Sequence, residues 1–135
     1  MMAKSSSLAI KSDLIVVVDD DAAVRKSLKF SLEVDGFLVR TYERSEELLS
    51  ESVFPACHCL VIDQKLPGLS GIDLIAKLRE REVSVPAILI TTDPSPALKM
   101  RARSAGIPII EKPLLGSALL DCIHQTMTQS ASPSN

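Results

Sequence analysis

Five short apolar runs alternate with longer stretches of helical spacing along the chain. The runs are Leu14–Val18, Phe37–Thr41, Cys57–Ile62, Pro86–Thr91 and Pro108–Glu111. The first, third and fourth are rich in Val, Ile and Leu and do not alternate with polar residues, which suits strands buried on both faces of a parallel sheet. Between them, apolar residues recur at helical intervals. Val24, Leu28 and Leu32 share one face, as do Leu74, Ile75 and Leu78, and the last set is Leu115, Ala118, Leu119, Cys122 and Ile123. Gly36 stands where a helix-ending glycine is expected, and Ser45 and Ser70 stand as N-caps. A fourth helix near Ala97–Ala105 has the weakest stripe. Five strand–helix alternations predict an α/β fold, a doubly wound five-stranded parallel sheet with helices on both faces.

The length suits one domain, set at residues 13–125, with a loose lead-in over 1–12 and a Ser-, Thr- and Gln-rich tail over 126–135. Hydrophobic residues make up 46% of the chain, enough for a core, whereas the aromatic share of 3% leaves little for stacking on bases. A formal charge of −2 offers no basic excess for phosphate backbones, so direct DNA binding is not expected. The apolar stretches are far short of a membrane span. Cys57, Cys59 and Cys122 form no disulfide framework and fit a reducing cytoplasm. Cys57-His58-Cys59 reads as strand packing rather than a metal site, because no second cysteine pair accompanies it. His124 reads as a solvated residue near the end of the last helix, and Lys99, Arg101 and Arg103 as a solvent face.

The chemistry is concentrated at one end of the predicted sheet. Ligands in doubly wound folds bind beyond the carboxyl ends of the strands. There the first strand leads into Asp19-Asp20-Asp21, the third into Asp63, the fourth into Thr91, and the fifth into Lys112-Pro113. Asp19, Asp20 and Asp63 would repel one another in a small crevice and raise each other's pKa values unless a cation joined them. Hard carboxylate oxygens suit Mg2+, and Lys112 adds a fixed positive charge. A carboxylate beside Mg2+, a lysine and a hydroxyl has the parts needed to attack a phosphoryl group.

At these residues the sequence resembles the receiver domains of bacterial two-component response regulators. The matching segments are Val18-Asp19-Asp20-Asp21, Asp63-Gln64-Lys65-Leu66-Pro67-Gly68-Leu69-Ser70-Gly71, Ile90-Thr91 and Glu111-Lys112-Pro113, and the likeness runs from about Leu14 to about Ile123. Val24-Arg25-Lys26-Ser27-Leu28 is most similar to the FixJ-like subgroup. The resemblance implies a flavodoxin-like sheet of strand order 2-1-3-4-5. It implies Asp63 as phosphoacceptor, fed by a sensor histidine kinase or a histidine phosphotransfer protein, in a switch that acts on a downstream protein rather than as a turnover enzyme. It further implies Mg2+ held by Asp19, Asp20, Asp63 and the Lys65 carbonyl, a Thr91 hydroxyl that turns toward the phosphoryl group, and Lys112 paired with Asp63 or the phosphoryl oxygens. It implies a cis bond before Pro113 in many members, and it allows a homodimer.

The chain departs from that pattern in four places. Ile109 stands where an aromatic residue is usual. The segment from Thr91 to Lys112 is one residue short, which predicts some displacement of the fourth helix and fifth strand. Thr92 replaces a small residue. Pro94 and Pro96 flank the start of the fourth helix, which predicts a late or short helix. Lys65 and Asp93, both expected at the mouth of the site, are predicted to form an ion pair that gates water. Three other readings compete: a phosphatase of the haloacid-dehalogenase type, whose first-strand motif Ala23 breaks; a flavodoxin, whose phosphate loop three carboxylates would repel; and a degenerate receiver that serves only as an interaction module.

Overall fold

Residues with no polar atoms to satisfy sit where the sheet is covered twice. The computed structural model describes residues 13–131, so the lead-in over 1–12 lies outside the described residues. Strands β1 (Leu14–Val18), β2 (Leu38–Tyr42), β3 (Cys59–Asp63), β4 (Ala87–Thr91) and β5 (Ile109–Glu111) form one parallel sheet of order β2-β1-β3-β4-β5. Every residue of β3 and β4 is buried, whereas the edge strands β2 and β5 are largely part-exposed. The helices are α1 (Ala22–Val34), α2 (Ser45–Leu49), α3 (Gly71–Glu80), α4 (Pro96–Ser104) and α5 (Ala118–Ala131). Among the described residues none is long and apolar enough to cross a membrane.

Because side chains alternate across a strand, the sheet divides its apolar residues between two cores. Ile15, Val17, Val61, Ile88 and Ile90 pack with Leu28 and Leu32 of α1 and Leu119 and Ile123 of α5. Val16, Val18, Leu60, Ile62 and Leu89 pack with Leu48 of α2, Leu74, Ile75 and Leu78 of α3, and Ala102 of α4. Ala102 is the only buried residue of α4, which explains the weak stripe in its sequence.

Helix ends follow local chemistry. Gly36, at φ 100°, ends α1: its N–H donates to the Glu33 carbonyl and the next amide, Phe37, reaches back to Leu32. The Ser70 hydroxyl accepts from the Asp73 amide at 3.4 Å and caps α3. Ser45 does not cap α2. It is the first helical residue, fully buried, and its hydroxyl donates to the Leu69 carbonyl at 2.9 Å, tying α2 to the β3–α3 loop. The Glu47 carboxylate instead accepts from the amides of Glu43 and Arg44. Pro96 opens α4 at a first-turn position, with the Ser95 hydroxyl accepting from the Leu98 amide. The helix therefore starts one residue earlier than the sequence stripe, and it is short.

The third strand begins at Cys59, which leaves Cys57 and His58 in the preceding loop rather than in the strand, and both ends of the last helix also differ from the sequence reading. Leu115 is outside α5 and 74% exposed; Gly116, at φ 66°, turns the chain before the helix begins. α5 then continues to Ala131, so the segment set down as a tail from 126 is helical that far. Despite the shortened segment, β5 keeps parallel register with β4, pairing Leu89 with Ile109 and Thr91 with Glu111.

Gly71 lies tight against neighbouring main chain. A Cβ there would lie 2.4 Å from the Asp63 carbonyl oxygen and 2.9 Å from the Gln64 Cα, both main-chain atoms that cannot yield alone. Gly71→Ala is expected to lower unfolding free energy by about 1–3 kcal/mol, the usual cost of overpacking, read as a lower urea midpoint at unchanged slope.

Candidate functional site

Four strand ends deliver the site. Asp19 follows β1, Asp63 ends β3, Thr91 ends β4 and Lys112 follows β5. Asp19, Asp63 and Thr91 are buried, whereas Asp20 is exposed at the rim. The Lys112 ammonium lies 3.2 Å from Asp63 Oδ1 and 3.3 Å from Asp19 Oδ2. The Lys112 amide donates to the Thr91 carbonyl at 2.8 Å, and the Lys112–Pro113 bond is cis. Thr91, Asp20 and Lys65 line one cleft of about 630 Å3, open to solvent between the β3–α3 and β4–α4 loops.

Asp19, Asp20 and Asp63 each offer an oxygen within 4.8 Å of the others. Two unit charges at that separation repel by roughly 3 kcal/mol at an effective dielectric of ~20. One lysine among three carboxylates leaves two negative charges uncompensated. The Asp63 carboxyl is accordingly raised above its ordinary range, first by burial and then by Asp19, with Lys112 pulling the other way. For Lys112, burial alone would lower the ammonium's pKa, but Asp19 and Asp63 outweigh it and the net direction is upward. Asp19 Oδ2 is a buried oxygen with no hydrogen-bond donor among the described residues; its approach to Lys112 is that of an ion pair without hydrogen-bond alignment. A buried carboxylate oxygen with an ion-pair contact but no hydrogen bond, in a cluster of excess negative charge, fits a hard divalent cation such as Mg2+.

Local hydrogen bonds explain how the chain tolerates this end of the sheet. Gln64 donates its amide to the Ile90 carbonyl, accepts the Gly71 amide on its own carbonyl, and accepts the Ile72 amide on Oε1 at 2.9 Å. It thus closes the loop that carries Lys65. Asp21 caps α1, taking the amides of Ala23 and Val24. Arg25 Nη1 donates to the Asp19 carbonyl at 2.7 Å. Sequence reasoning passed over both Gln64 and Arg25. The available signal for Arg25 was a cation near the start of a helix, where the dipole disfavours one unless a partner offsets it.

Other sequence expectations meet a mixed outcome. Lys65 and Asp93 line the same cleft, but both are exposed and no ion pair joins them; Asp93 takes a left-handed conformation at φ 50°. Thr91 Oγ1 reaches only the Thr92 carbonyl, at 3.5 Å, so it does not touch Asp63 in this arrangement. Burial pushes the Cys57 and Cys59 thiols up to about 11 and about 12, away from the thiolate a metal would need. His58 accepts the Leu14 amide on Nδ1 at 3.1 Å, a structural bond. His124 lies mid-helix rather than near an end; its Nε2 meets Asp35 Oδ2 at 2.9 Å and its ring faces Phe37. Arg101, expected to be free on the solvent face, pairs with Asp73 of α3 at 2.8 Å and holds that carboxyl below its ordinary range.

Comparison with known proteins agrees with this geometry. The family model described as "Response regulator receiver domain" matches residues 15–124. The chain is 32% identical over 110 residues to the transcriptional regulatory protein FixJ of Rhizobium meliloti, covering 81% of this chain and 54% of that protein. It superposes on the response regulator StyR with a TM-score of 0.80 at 36% identity, over 89% of this chain and 61% of that one. A CheY-like receiver domain protein from Methanospirillum hungatei gives a TM-score of 0.79 at 28% identity, over 87% of this chain and 95% of that one. The chain spans about half the length of the curated relatives it matches. With the five-stranded sheet, the acidic strand-end cluster and the family match in agreement, the chain belongs to the response regulator receiver domains of two-component signalling.

Proposed function

We propose that Asp63 is the phosphoacceptor of a Mg2+-dependent switch in the cytoplasm. The observation that carries this is the buried Asp19 Oδ2, ion-paired to Lys112 but without a hydrogen bond, in a part-buried cluster that Lys112 alone leaves negative. Asp19, Asp20, Asp63 and the Lys65 carbonyl would hold the ion, which when bound neutralises the carboxylates and the phosphoryl oxygens. Asp63, ionised, attacks the phosphorus of a phosphohistidine on a sensor histidine kinase or a histidine phosphotransfer protein. The new Asp63 O–P bond forms as the P–N bond breaks, and the imidazole leaves with the electron pair. Lys112, already 3.2 Å from Asp63, transfers its pairing to the incoming oxygens. The Thr91 hydroxyl, held only by its weak local contact, is free to turn toward them. The acyl phosphate stays on the chain until water cleaves it, so the protein acts as a switch for a downstream partner rather than as a turnover enzyme.

Incubation with acetyl phosphate and Mg2+ is expected to add one phosphoryl group to the intact mass, and Asp63→Asn or EDTA to abolish it. An adduct on Asp63→Asn, or none on the wild type with either acetyl phosphate or a phosphohistidine donor, overturns the assignment. Lys112→Ala is expected to slow phosphorylation on the order of 10²-fold, as loss of a charge-stabilising donor does.

Stability should vary with pH through the same carboxyl. Asp63's pKa is raised by folding, so its proton stabilises the folded state at low pH, and that stability is lost as pH rises through the folded pKa. Asp63→Asn in EDTA is therefore expected to raise the urea midpoint at pH 7, with the gain shrinking as pH falls toward the ordinary carboxylate range. Equal midpoints at all pH values would contradict the raised pKa.

A further inference from the structure

We propose that Arg25 is a positioning residue for the cation site, fixing Asp19 so that its Oδ2, which only the Lys112 ammonium approaches, faces the cluster. The inference rests on reading that cluster as a Mg2+ site.

Asp19 is fully buried and has four polar groups. Its amide donates to the Tyr42 carbonyl at 3.1 Å, its Oδ1 accepts from the Asp21 amide at 2.9 Å, and its carbonyl accepts from Arg25 Nη1 at 2.7 Å. Oδ2 alone has no hydrogen bond. Three anchors on one residue leave its main chain and χ angles little freedom, so the remaining oxygen is aimed by what holds the other three groups.

Arg25 is the one anchor drawn from a side chain. The Asp19 carbonyl precedes α1, and the amide that might have served it four residues on, Ala23, is taken by the Asp21 carboxylate at 2.9 Å. A guanidinium reaching back from the start of the helix fills that gap, and 2.7 Å is the short distance expected of a charged donor. The bond also fixes the plane of the peptide joining Asp19 to Asp20, and so the direction in which Asp20 leaves the turn. Arg25 forms no ion pair with an acid of the cluster among the described residues; its partner is a neutral carbonyl.

Two effects of Arg25 on a nearby cation oppose each other. Holding Asp19 in place favours binding, whereas the guanidinium's own charge repels a divalent ion. The repulsion is softened because the guanidinium bonds the Asp19 carbonyl rather than the carboxylate, whereas the hydrogen bond acts directly on the residue that holds the ion. Positioning therefore wins, and the sign of the mutational effect separates the two.

The test is calorimetric titration of MgCl2 into the full chain as wild type, Arg25→Met and Arg25→Lys, with melting in EDTA as a control for folding. Arg25→Met is expected to weaken Mg2+ binding about 10-fold, as loss of a supporting outer-shell bond does. Its phosphorylation rate at saturating Mg2+ should stay within about 3-fold of wild type, the pattern of lost binding rather than lost chemistry. Arg25→Lys, which keeps a charged donor without the planar fork, should recover all but about 3-fold of the affinity. Unchanged or tighter Mg2+ binding by Arg25→Met overturns the proposal while leaving the site itself standing; tighter binding would mean that charge alone matters. Should Arg25→Met be unfolded in EDTA, Arg25→Lys decides, with wild-type or tighter affinity overturning the role. A wild type that binds no Mg2+ removes the underlying reading as well.

Discussion

Mutual repulsion among Asp19, Asp20 and Asp63 is the constraint around which this molecule is organised. Three carboxylates held within a few ångströms at a part-buried sheet end would normally push the backbone apart. They stay because the two buried ones, Asp19 and Asp63, are attached to something that cannot move. Asp63 belongs to a strand buried along its whole length, Asp19 is anchored through three of its four polar groups, and Lys112 bridges the two from the far edge of the sheet. Double coverage of the central strands gives the rigidity, and that rigidity allows the charge to remain concentrated. The apolar core and the acidic cluster are thus two parts of one arrangement.

Much of this was legible in the sequence because parallel strands buried on both faces need continuous apolar runs, and the helical spacing between the runs marks them as strands. The same runs mark their own carboxyl ends, so four strand ends and their polar residues could be placed before any coordinates. Element ends were less legible. Leu115 fits the apolar stripe of the last helix, but Gly116 breaks the chain before the stripe becomes a helix. Ser45 has the chemistry of a cap, yet its hydroxyl is drawn to Leu69, far away in sequence, because α2 packs against the β3–α3 loop.

Pairings that depend on three-dimensional direction were the least legible. Lys65 and Asp93 do reach the same cleft, but sharing a cleft does not bring two exposed side chains into contact, and the left-handed backbone at Asp93 is not written in its identity. Gln64 and Arg25 have the opposite history. Gln64 is uncharged and Arg25 lies in a helix rather than at a strand end, so neither draws attention, yet both hold the loops on which the acids sit. Arg101 looked like one more solvated cation until the packing of α4 brought it to Asp73.

α4 invests little in the interior. Of its nine residues only Ala102 is buried, and its outer surface carries Met100, Lys99 and Arg103. Substitutions over most of that surface leave the core, and therefore the acidic cluster, untouched. The outer face of α4 can therefore change its charge and shape without disturbing the packing that holds the three acids in place.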